Sequence, residues 1–501
     1  LRALNLVAPE KSVTTSEKDA KWMTPELLAK IKIRNGLRKK AEVSRDYDDW
    51  QVFKCNQKSL MKELRAAKFA DFREDMDVKD SKRRWARVKA HAKLGKRSDN
   101  DIVLKIDGEE ISDPHKVSRS LNDYFKEKVV NLRKDLDVSV ENSLSYTDEY
   151  MRGRTFEEFD FHQVSTRTVK RIIANLTNTG ALGHDGIGTK VLKRWKHVIG
   201  PPLRHIVNMA IHFGEYPRNW KLGVITPLPK GGDQSQMKNW RPICINNACS
   251  KVLETVLNDQ ISFHMESERL YSRTQHAYRK HRSVNSALLE LDTMIRDQLN
   301  KGKVVGVLTT DVSAGFNLVS KEILIPKMAR FGFGEDSCNL LNDYLSGRRT
   351  QVKVKNVISP PVSLDTGVGE GSVLGPNFFS CGMTDVSVVA NRVKIKLQES
   401  DEVDIWCSQV EYADDCTPVM AADTEEDLQR ASDEMLRGYN AFYSANGLKL
   451  NESKCKLLVI RPGKKTMTLT CAGQDEVESI RLLGLYIDNK LTYRQLTEFV
   501  R

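Results

Sequence analysis

The sequence predicts an α+β protein with a basic, mostly helical arm at its N-terminal end, and three observations support this prediction. Hydrophobic residues make up 40% of the 501 residues and charged residues 29%, which is typical of a globular chain and not of a disordered one. Residues 1–100 contain 26 Lys and Arg against 15 Asp and Glu, so they carry +11 of the net charge of +12. Further along, β-rich segments at 304–310 and 409–420 alternate with helical patterns.

The basic arm is predicted to form two or three helices within residues 24–93. The run Thr-Pro-Glu at 24–26 is a typical helix start, because Thr caps, Pro fits the first turn and Glu lies at the positive end of the dipole. Basic blocks such as 30–34 and 82–87 indicate a polyanion partner, most often nucleic acid. Solvated helix faces are the alternative interpretation of each block. The polar stretch 97–101 then predicts a domain boundary.

Three later segments have clear local patterns. Residues 102–112 alternate around Asp-Gly, which predicts a short hairpin, and the acidic, Ser-containing stretch 136–150 is predicted to be a linker. Residues 424–446 have apolar positions at helical spacing, with Thr424 and Asp427 as a capping box and Gly447 as the stop.

Cysteine usage and hydropathy exclude two classes of protein. None of the nine cysteines forms a CxxC pair, so the sequence predicts neither a zinc site nor a disulfide framework and suits a reducing compartment. No run approaches ~18 apolar residues, so we expect no membrane span.

Two acidic sites lie about a hundred residues apart. A buried, β-branched strand at 304–310 ends at Asp311, and Asp414 and Asp415 occupy the turn between two strands at 409–420. If these strands are neighbours, the carboxylates converge on a site for a hard cation such as Mg²⁺. The alternative is an acidic hairpin turn and an unrelated strand end.

Several blocks, taken in order, resemble the reverse transcriptases of non-LTR (LINE-type) retrotransposons. The basic region 20–130 is similar to the stretch that these proteins place between endonuclease and polymerase. The matching blocks are Gly183-His184-Asp185-Gly186-Ile187, Leu228-Pro229-Lys230, Asn239-Trp240-Arg241-Pro242-Ile243, Ser250-Lys251-Val252-Leu253-Glu254, Gln275-His276-Ala277-Tyr278-Arg279-Lys280, Asp311-Val312-Ser313-Ala314-Gly315-Phe316, Gly367-Val368-Gly369-Glu370-Gly371-Ser372-Val373-Leu374-Gly375-Pro376, Tyr412-Ala413-Asp414-Asp415, Asn451-Glu452-Ser453-Lys454 and Leu482-Leu483-Gly484-Leu485-Tyr486-Ile487-Asp488.

The resemblance implies a right-hand polymerase, with mixed fingers and an antiparallel palm that has helices on one face. It divides the chain into a nucleic-acid-binding arm at 1–100, a connecting region with the first part of the fingers at 101–215, the fingers and palm at 216–490, and the start of a truncated thumb at 491–501. We therefore expect a partial polyprotein that lacks the endonuclease and most of the thumb.

The resemblance also implies the metal and proton-transfer groups. Asp311 and Asp414 hold two Mg²⁺ ions, for which Mn²⁺ is a possible substitute, and Asp415 completes the acidic cluster. Lys454 protonates the departing pyrophosphate; a solvated turn lysine is the alternative.

The residues implied for the nucleotide come from separate blocks. Phe316 lies under the incoming sugar and excludes a 2′-hydroxyl, although an ordinary core Phe is the alternative. Lys230 and Arg241 hold the triphosphate, where phosphoryl transfer needs cationic donors. The other contacts expected with the nucleotide are Glu370, Gly371 and Tyr412.

Three departures from the family pattern involve four positions. Gly369-Glu370 replaces a usual Pro-Gln, Asn317 replaces a frequent Asp, and Gly315 replaces a frequent Ala. An ionised Glu370 about 6 Å from a triphosphate would be repelled by roughly 3 kcal/mol at an effective dielectric near ~20, before screening. We therefore expect Glu370 to weaken dNTP binding.

The function implied is that of an RNA-directed DNA polymerase, which extends a primer 3′-hydroxyl with dNTPs. The partners are then an RNA template and a DNA primer, with no membrane, in a ribonucleoprotein of nucleus and cytoplasm. One alternative is a catalytically decayed remnant that only binds nucleic acid. Another is an RNA-copying RNA polymerase, which Phe316 opposes because such an enzyme must admit the 2′-hydroxyl.

Overall fold

A computed structural model describes residues 23–44, 46–76, 102–134, 136–313, 315–364, 366–401, 404–463 and 466–492. The chain divides into two compact units, 1–101 and 102–501. The division falls at the polar stretch where the sequence predicts a boundary. Helices and sheets are both present, which confirms the mixed α+β content.

The described residues of the first unit form two helices, α1 (Pro25–Ser44) and α2 (Tyr47–Met76). The Thr24 hydroxyl accepts a hydrogen bond from the backbone N–H of Leu27 at 3.3 Å, so the helix begins where the sequence predicts. Part of its positive charge is paired within the unit, as in the contact of Lys30 with Glu63 at 2.6 Å. The basic block 82–87 lies outside the described residues.

The second unit is mixed. The α-helices among its described residues are α3 (Pro114–Lys134), α4 (Val140–Tyr150), α5 (Thr166–Asn175), α6 (Thr189–Arg194), α7 (Lys196–Phe213), α8 (Ala248–Ser267), α9 (Val284–Asn300), α10 (Gly315–Leu318), α11 (Lys321–Arg330), α12 (Glu335–Leu345), α13 (Gly375–Gly382), α14 (Ser387–Asp401) and α15 (Glu425–Ala445). Single 3₁₀ turns occur at Arg218–Trp220, Met237–Asn239, Thr384–Val386 and Glu452–Lys454. Its strands are β1 (Leu104–Ile106), β2 (Glu109–Ile111), β3 (Leu222–Pro229), β4 (Trp240–Ile245), β5 (Val304–Thr309), β6 (Val312–Ser313), β7 (Arg348–Val354), β8 (Val357–Ile358), β9 (Val362–Leu364), β10 (Trp406–Tyr412), β11 (Asp415–Ala422), β12 (Lys449–Leu450), β13 (Lys456–Ile460), β14 (Thr470–Cys471), β15 (Gln474–Asp475), β16 (Ser479–Leu482) and β17 (Leu485–Asp488).

A four-stranded antiparallel sheet in the order β10-β11-β5-β13 holds the predicted carboxylates at one end. Val307 of β5 pairs with Val419 of β11 on one side and with Leu458 of β13 on the other. The strands next to the two acidic positions, β5 before Asp311 and β11 from Asp415, are therefore neighbours, and a common site requires this.

Helices cover both faces of this sheet, so the expectation of helices on one face is wrong. Val305 and Val307 pack with helix α9, while Leu308 packs with α14 and α15 on the opposite face. Gly306 lies against Leu428 of α15, where a Cβ would come within 3.1 Å of a side-chain methyl. The continuous apolar run of β5 is the signature of a strand buried on both faces.

A five-stranded sheet in the order β4-β3-β7-β8, with β9 also paired to β7, forms the second layer. Strands β3 and β7 are parallel and the other pairs are antiparallel. Helix α3 packs across this sheet through Val117, Leu121 and Phe125.

The local predictions have mixed outcomes. The hairpin at 102–112 is confirmed, with Asp107 and Gly108 both at positive φ. Helix α15 is confirmed, with the Thr424 hydroxyl accepting from the Asp427 N–H at 3.1 Å. The predicted linker 136–150 is wrong: it contains helix α4, whose Tyr146 ring meets Phe442 edge-on at 5.1 Å between centroids.

Two bulk properties complete the description. All nine cysteines have free thiols. Among the described residues, no helix combines the length and the apolar character needed to cross a bilayer.

Candidate active site

The β10–β11 hairpin presents two carboxylates at the end of the four-stranded sheet. Tyr412 pairs with Asp415, so Ala413 and Asp414 form the connecting turn. Ala413 has a φ of 58°, the left-handed region that L-residues adopt at a cost.

Asp311 reaches the same end of the sheet from β5. The Thr310 hydroxyl and backbone N–H both donate to the carbonyl of Cys416, over 2.8 and 3.2 Å. This bridge aligns the residues next to it in the chain, so Asp311 and Asp415 lie side by side. The Asp311 carbonyl accepts from the N–H of Asn451 at 2.8 Å, which joins the 3₁₀ turn carrying Lys454 to the site.

Lys454 Nζ lies 3.1 Å from Asp311 Oδ2, and both side chains are partly exposed. The two catalytic groups that the sequence predicts 143 residues apart are thus in direct contact. An ammonium in this position neutralises part of the acidic cluster.

Burial and neighbouring negative charge raise the pKa values of two carboxyls in the acidic cluster. Desolvation by the surrounding protein raises the pKa of Asp414, and the Asp311 carboxylate raises it further. Desolvation followed by repulsion from Asp414 and Asp311 raises the pKa of Asp415 to about 6. Burial and a neighbouring like charge raise the pKa of a carboxyl in this way, and such shifts are frequent at functional sites.

The donor set fits Mg²⁺, which binds through few carboxylates together with waters and substrate phosphates. Among the described residues, no three His, Cys, Asp or Glu side chains are grouped closely enough to enclose an ion unaided. An ion beside Asp311, Asp414 and Asp415 would therefore need further ligands from substrate or solvent.

A cavity of about 730 Å³ opens beside the carboxylates. It lies between the five-stranded sheet, helix α3 and the tip of the four-stranded sheet, and this volume is in the range of small-molecule pockets. The sequence-predicted residues that line it are Asp311, Asp414, Lys454, Lys230, Arg241, Phe316, Glu370 and Gly371.

Two predicted residues do not line the cavity. The Tyr412 ring packs against the apolar cluster under helix α9, on the other side of its strand. Asp415 contributes to the acidic cluster electrostatically and is exposed beside the opening. A role for Tyr412 in nucleotide binding stays a prediction.

Besides Lys126 and Lys454, three cations line the cavity, and each comes from a different element. Lys230 follows β3, and its backbone N–H donates to the carbonyl of Asn239 at 2.8 Å. Arg241 lies on β4 opposite Leu228, and its side chain is 59% exposed. Lys128 projects from α3; desolvation lowers its pKa, and the positive charge of Lys230 lowers it further.

Phe316 forms part of the cavity wall below these cations. Its ring lies 5.3 Å from that of Phe379, centroid to centroid, and at 31° to it. A Cβ on Gly315 would lie 2.8 Å from the Phe379 ring, which explains why Gly stands where Ala is frequent. The Phe316 ring thus packs against Phe379 on one side and lines the cavity.

The loop at 367–376 places Glu370 over the cavity. The Glu370 carbonyl accepts from the N–H of Cys244 at 2.7 Å. A Cβ on Gly369 would lie 2.8 Å from the Cys244 Cβ, so this close approach to β4 requires Gly. The Glu370 carboxylate accepts a 3.3 Å hydrogen bond from Asn317 Nδ2 and lies 3.7 Å from Arg241 Nε.

Lys128 and Tyr278 also line the cavity, although the sequence analysis gives neither of them a role at the site. Burial raises the pKa of Tyr278, and the nearby Asp414 adds to that shift. Tyr278 lies within the block 275–280 that resembles the family, and this resemblance could have placed it at the site. Lys128 is one of four lysines in α3, and nothing in its spacing distinguishes it.

Comparison with known proteins gives a consistent result. The model of a family described as reverse transcriptase (RNA-dependent DNA polymerase) matches residues 228–487, slightly more than half of the chain.

Three curated relatives illustrate the similarity. The probable RNA-directed DNA polymerase from transposon BS of Drosophila melanogaster is 24% identical over 309 residues, which is 58% of this chain and 33% of that protein. The Pol polyprotein of the type-1 retrotransposable element R2 of Popillia japonica is 27% identical over 210 residues, 41% and 28% of the two chains. The RNA-directed DNA polymerase of the mobile element jockey of Drosophila melanogaster is 22% identical over 362 residues, 69% and 37%. The chain thus spans about a third of each relative, and the matches confirm the resemblance to LINE-type polymerases.

Proposed function

The chain belongs to the reverse transcriptase (RNA-dependent DNA polymerase) family, and from this membership we propose that it extends a primer 3′-hydroxyl with dNTPs on an RNA template. One observation carries the proposal. Two strand-borne carboxylates, Asp311 and Asp414, share a single cavity with the cations Lys230 and Arg241 and the ring of Phe316. Phosphoryl transfer needs metal-binding carboxylates and cations together, and the ring would select the sugar of the nucleotide.

Asp311, Asp414 and Asp415 are the proposed metal ligands. Two bound Mg²⁺ ions would activate the attacking hydroxyl and stabilise the leaving phosphate; Mn²⁺ is a possible substitute. The raised pKa values of Asp414 and Asp415 support this assignment, because burial and the neighbouring carboxylates raise them and a bound cation would relieve both effects.

Lys230, Arg241 and Lys128 are the proposed contacts with the triphosphate. They reach one cavity from β3, β4 and α3, so their charges sum at the position where phosphates would lie. Phosphoryl transfer depends on such fixed cations for charge stabilisation.

Phe316 is the proposed barrier to ribonucleotides. Its ring is backed by Phe379, so it has little room to withdraw from a 2′-hydroxyl.

Lys454 is proposed to donate the proton to the pyrophosphate. Its contact with Asp311 keeps the ammonium within the acidic cluster.

The four-stranded sheet is the proposed palm, and the five-stranded sheet with α3 the proposed fingers.

The basic arm in residues 1–100 is proposed to contact template or primer phosphates, within a nuclear and cytoplasmic ribonucleoprotein. Binding through these contacts depends on salt, because phosphate neutralisation releases counterions.

Primer extension with Mg²⁺ tests the proposal. A DNA primer annealed to an RNA template is incubated with the chain and either dNTPs or NTPs. The primer should be extended in the reaction with dNTPs and not in the reaction with NTPs. Extension with NTPs would favour the RNA polymerase alternative.

A decayed, nucleic-acid-binding remnant is the second candidate, and the contact between Glu370 and Arg241 favours it. That contact occupies a cation which the triphosphate needs. Tight binding of primer–template without extension by either nucleotide type would establish the remnant instead.

A further inference from the structure

The side chain of Gln275 contacts both backbone groups of Ala413, the residue that precedes Asp414. Its Oε1 accepts from the Ala413 N–H at 3.0 Å, and its Nε2 donates to the Ala413 carbonyl at 3.4 Å. Gln275 is only 2% exposed. One buried amide therefore satisfies the donor and the acceptor at the centre of the acidic turn.

The orientation of this amide is fixed by a third hydrogen bond. Gln275 Oε1 also accepts from the N–H of Ala277 at 2.9 Å. Turning the amide over would place its NH₂ group against two backbone N–H donors, which is unfavourable. The side chain can therefore serve the turn in one orientation only.

The backbone around Gln275 is attached to the same hairpin. The Glu411 N–H donates to the Thr274 carbonyl at 2.9 Å, and the His276 N–H donates to the Glu411 carbonyl at 2.9 Å. These bonds extend the sheet by one short segment along its edge strand β10. Gln275 is thus carried by the sheet that it stabilises.

The buried Glu411 carboxylate adds a second attachment. It accepts hydrogen bonds from the hydroxyls of Ser272 and Thr274, at 2.8 and 2.6 Å. The segment 272–277 therefore holds β10 at Glu411, and it holds the turn through the Gln275 side chain.

Ala413 needs such support because of its conformation. Its φ of 58° is unfavourable for a residue with a Cβ, and Gly, Asn or Asp usually occupies such a position in a tight turn. The two hydrogen bonds from Gln275 offset this cost in the conformation that presents Asp414 to the cavity.

We propose that Gln275 is a positioning residue that holds the Ala413–Asp414 turn in its metal-binding conformation. The inference rests on the proposed polymerase function for its catalytic consequence. Its structural part concerns the turn alone and stands without that function.

Gln275→Met is the main test, because Met has a similar length and forms neither hydrogen bond. Gln275→Asn is the conservative second variant, since it keeps an amide that is too short to reach both groups. Gln260→Met is the matched control. Gln260 makes the same pair of bonds to the backbone of His162, at 2.8 and 2.9 Å, away from the cavity.

Hydrogen–deuterium exchange of the metal-free protein is the first readout. In Gln275→Met, the peptide covering residues 409–418 should exchange roughly tenfold faster, because two hydrogen bonds at the turn are lost. In Gln260→Met, that peptide should exchange at the wild-type rate. Unchanged exchange in both Gln275 variants, measured on folded protein, would overturn the proposal.

The Mg²⁺ dependence of primer extension is the second readout. Both Gln275 variants should need roughly tenfold more Mg²⁺ for half-maximal rate, with primer–template affinity unchanged. A lower rate at unaltered Mg²⁺ dependence would contradict a positioning role. If the wild-type chain extends no primer, the proposed function fails, and the exchange measurement still decides the structural role of Gln275.

Discussion

Asn317 Nδ2 donates a 3.3 Å hydrogen bond to Glu370 Oε1, so two of the three departures from the family pattern contact each other. Where the family usually has Asp and Gln at these positions, this chain has Asn and Glu. Amide and carboxylate have exchanged places, and an amide-to-carboxylate hydrogen bond is possible in either arrangement. The two departures are thus a matched pair in the structure.

Exchanging both residues together should therefore restore what the Asn317→Asp exchange alone damages. Asn317→Asp would set two carboxylates against each other and should lower kcat/KM for dNTPs by roughly tenfold. The double variant Asn317→Asp with Glu370→Gln should return to within about threefold of wild type, because the amide now donates from position 370. Steady-state extension kinetics decide the point, and a double variant as poor as Asn317→Asp alone would show that the two residues act independently.

Removing the charge of Glu370 alone should tighten dNTP binding. The carboxylate repels phosphates, and it also lies 3.7 Å from the Arg241 Nε and so competes for that cation. Glu370→Gln should lower the KM for dNTPs about fivefold, if a third of the ~3 kcal/mol repulsion is felt. The gain should be smaller in an Arg241→Met background. A higher KM in Glu370→Gln would mean that the carboxylate holds Arg241 in place.

Removing the cation of Lys128 should weaken dNTP binding. Its ammonium lines the cavity beside Lys230, so Lys128→Met should raise the KM for dNTPs about fivefold, with little change in primer–template affinity. Lys134→Met is the control, because that lysine lies exposed in the last turn of the same helix. Equal KM values in the two variants would remove Lys128 from the proposed triphosphate site.

The ion pair of Glu425 with Arg461 should make stability depend on pH. Although burial opposes it, the hydrogen bond from Arg461 and those from the N–H groups of Met467 and Thr466 lower the pKa of Glu425 from 4.5 to about 2. A lowered folded-state pKa stabilises the fold above pH ~4.5, and this stabilisation is lost as the pH falls towards ~2.

Urea unfolding of Glu425→Gln across pH tests this dependence. Wild type should have the higher free energy of unfolding at pH 6, and its advantage should stay constant down to about pH 4.5 and shrink from there towards pH 3. Glu426→Gln, at the exposed neighbouring position, should differ little from wild type at any pH. A constant difference between wild type and Glu425→Gln would contradict the linkage.

The sequence predicted the acidic end of the sheet because its signals are local. The apolar run before Asp311 and the strand–turn–strand pattern around Asp414 each indicate an element and the residue at its end. The pairing of β5 with β11, which brings them together, came from the family resemblance and not from periodicity.

Other features depend on contacts that local patterns do not record. Helix α4 was predicted as a linker because it is acidic and rich in Ser. Its buried Thr147 donates to Asp385, 238 residues away. Lys128 was missed for a related reason, since the apolar face of α3 identifies a core and not the cavity beside it. Gln275 acts on a turn 138 residues further along the chain.

Extension of a DNA primer on an RNA template by Asp311→Asn and Asp414→Asn tests the central proposal most directly. Each variant should lose at least about a hundredfold in extension rate, since each removes a proposed metal ligand, while primer–template affinity stays within about twofold. Asp423→Asn, directly beyond the other end of β11, is the control and should extend at the wild-type rate. Near wild-type extension by either Asp311→Asn or Asp414→Asn would contradict the assignment of these carboxylates to the metal site.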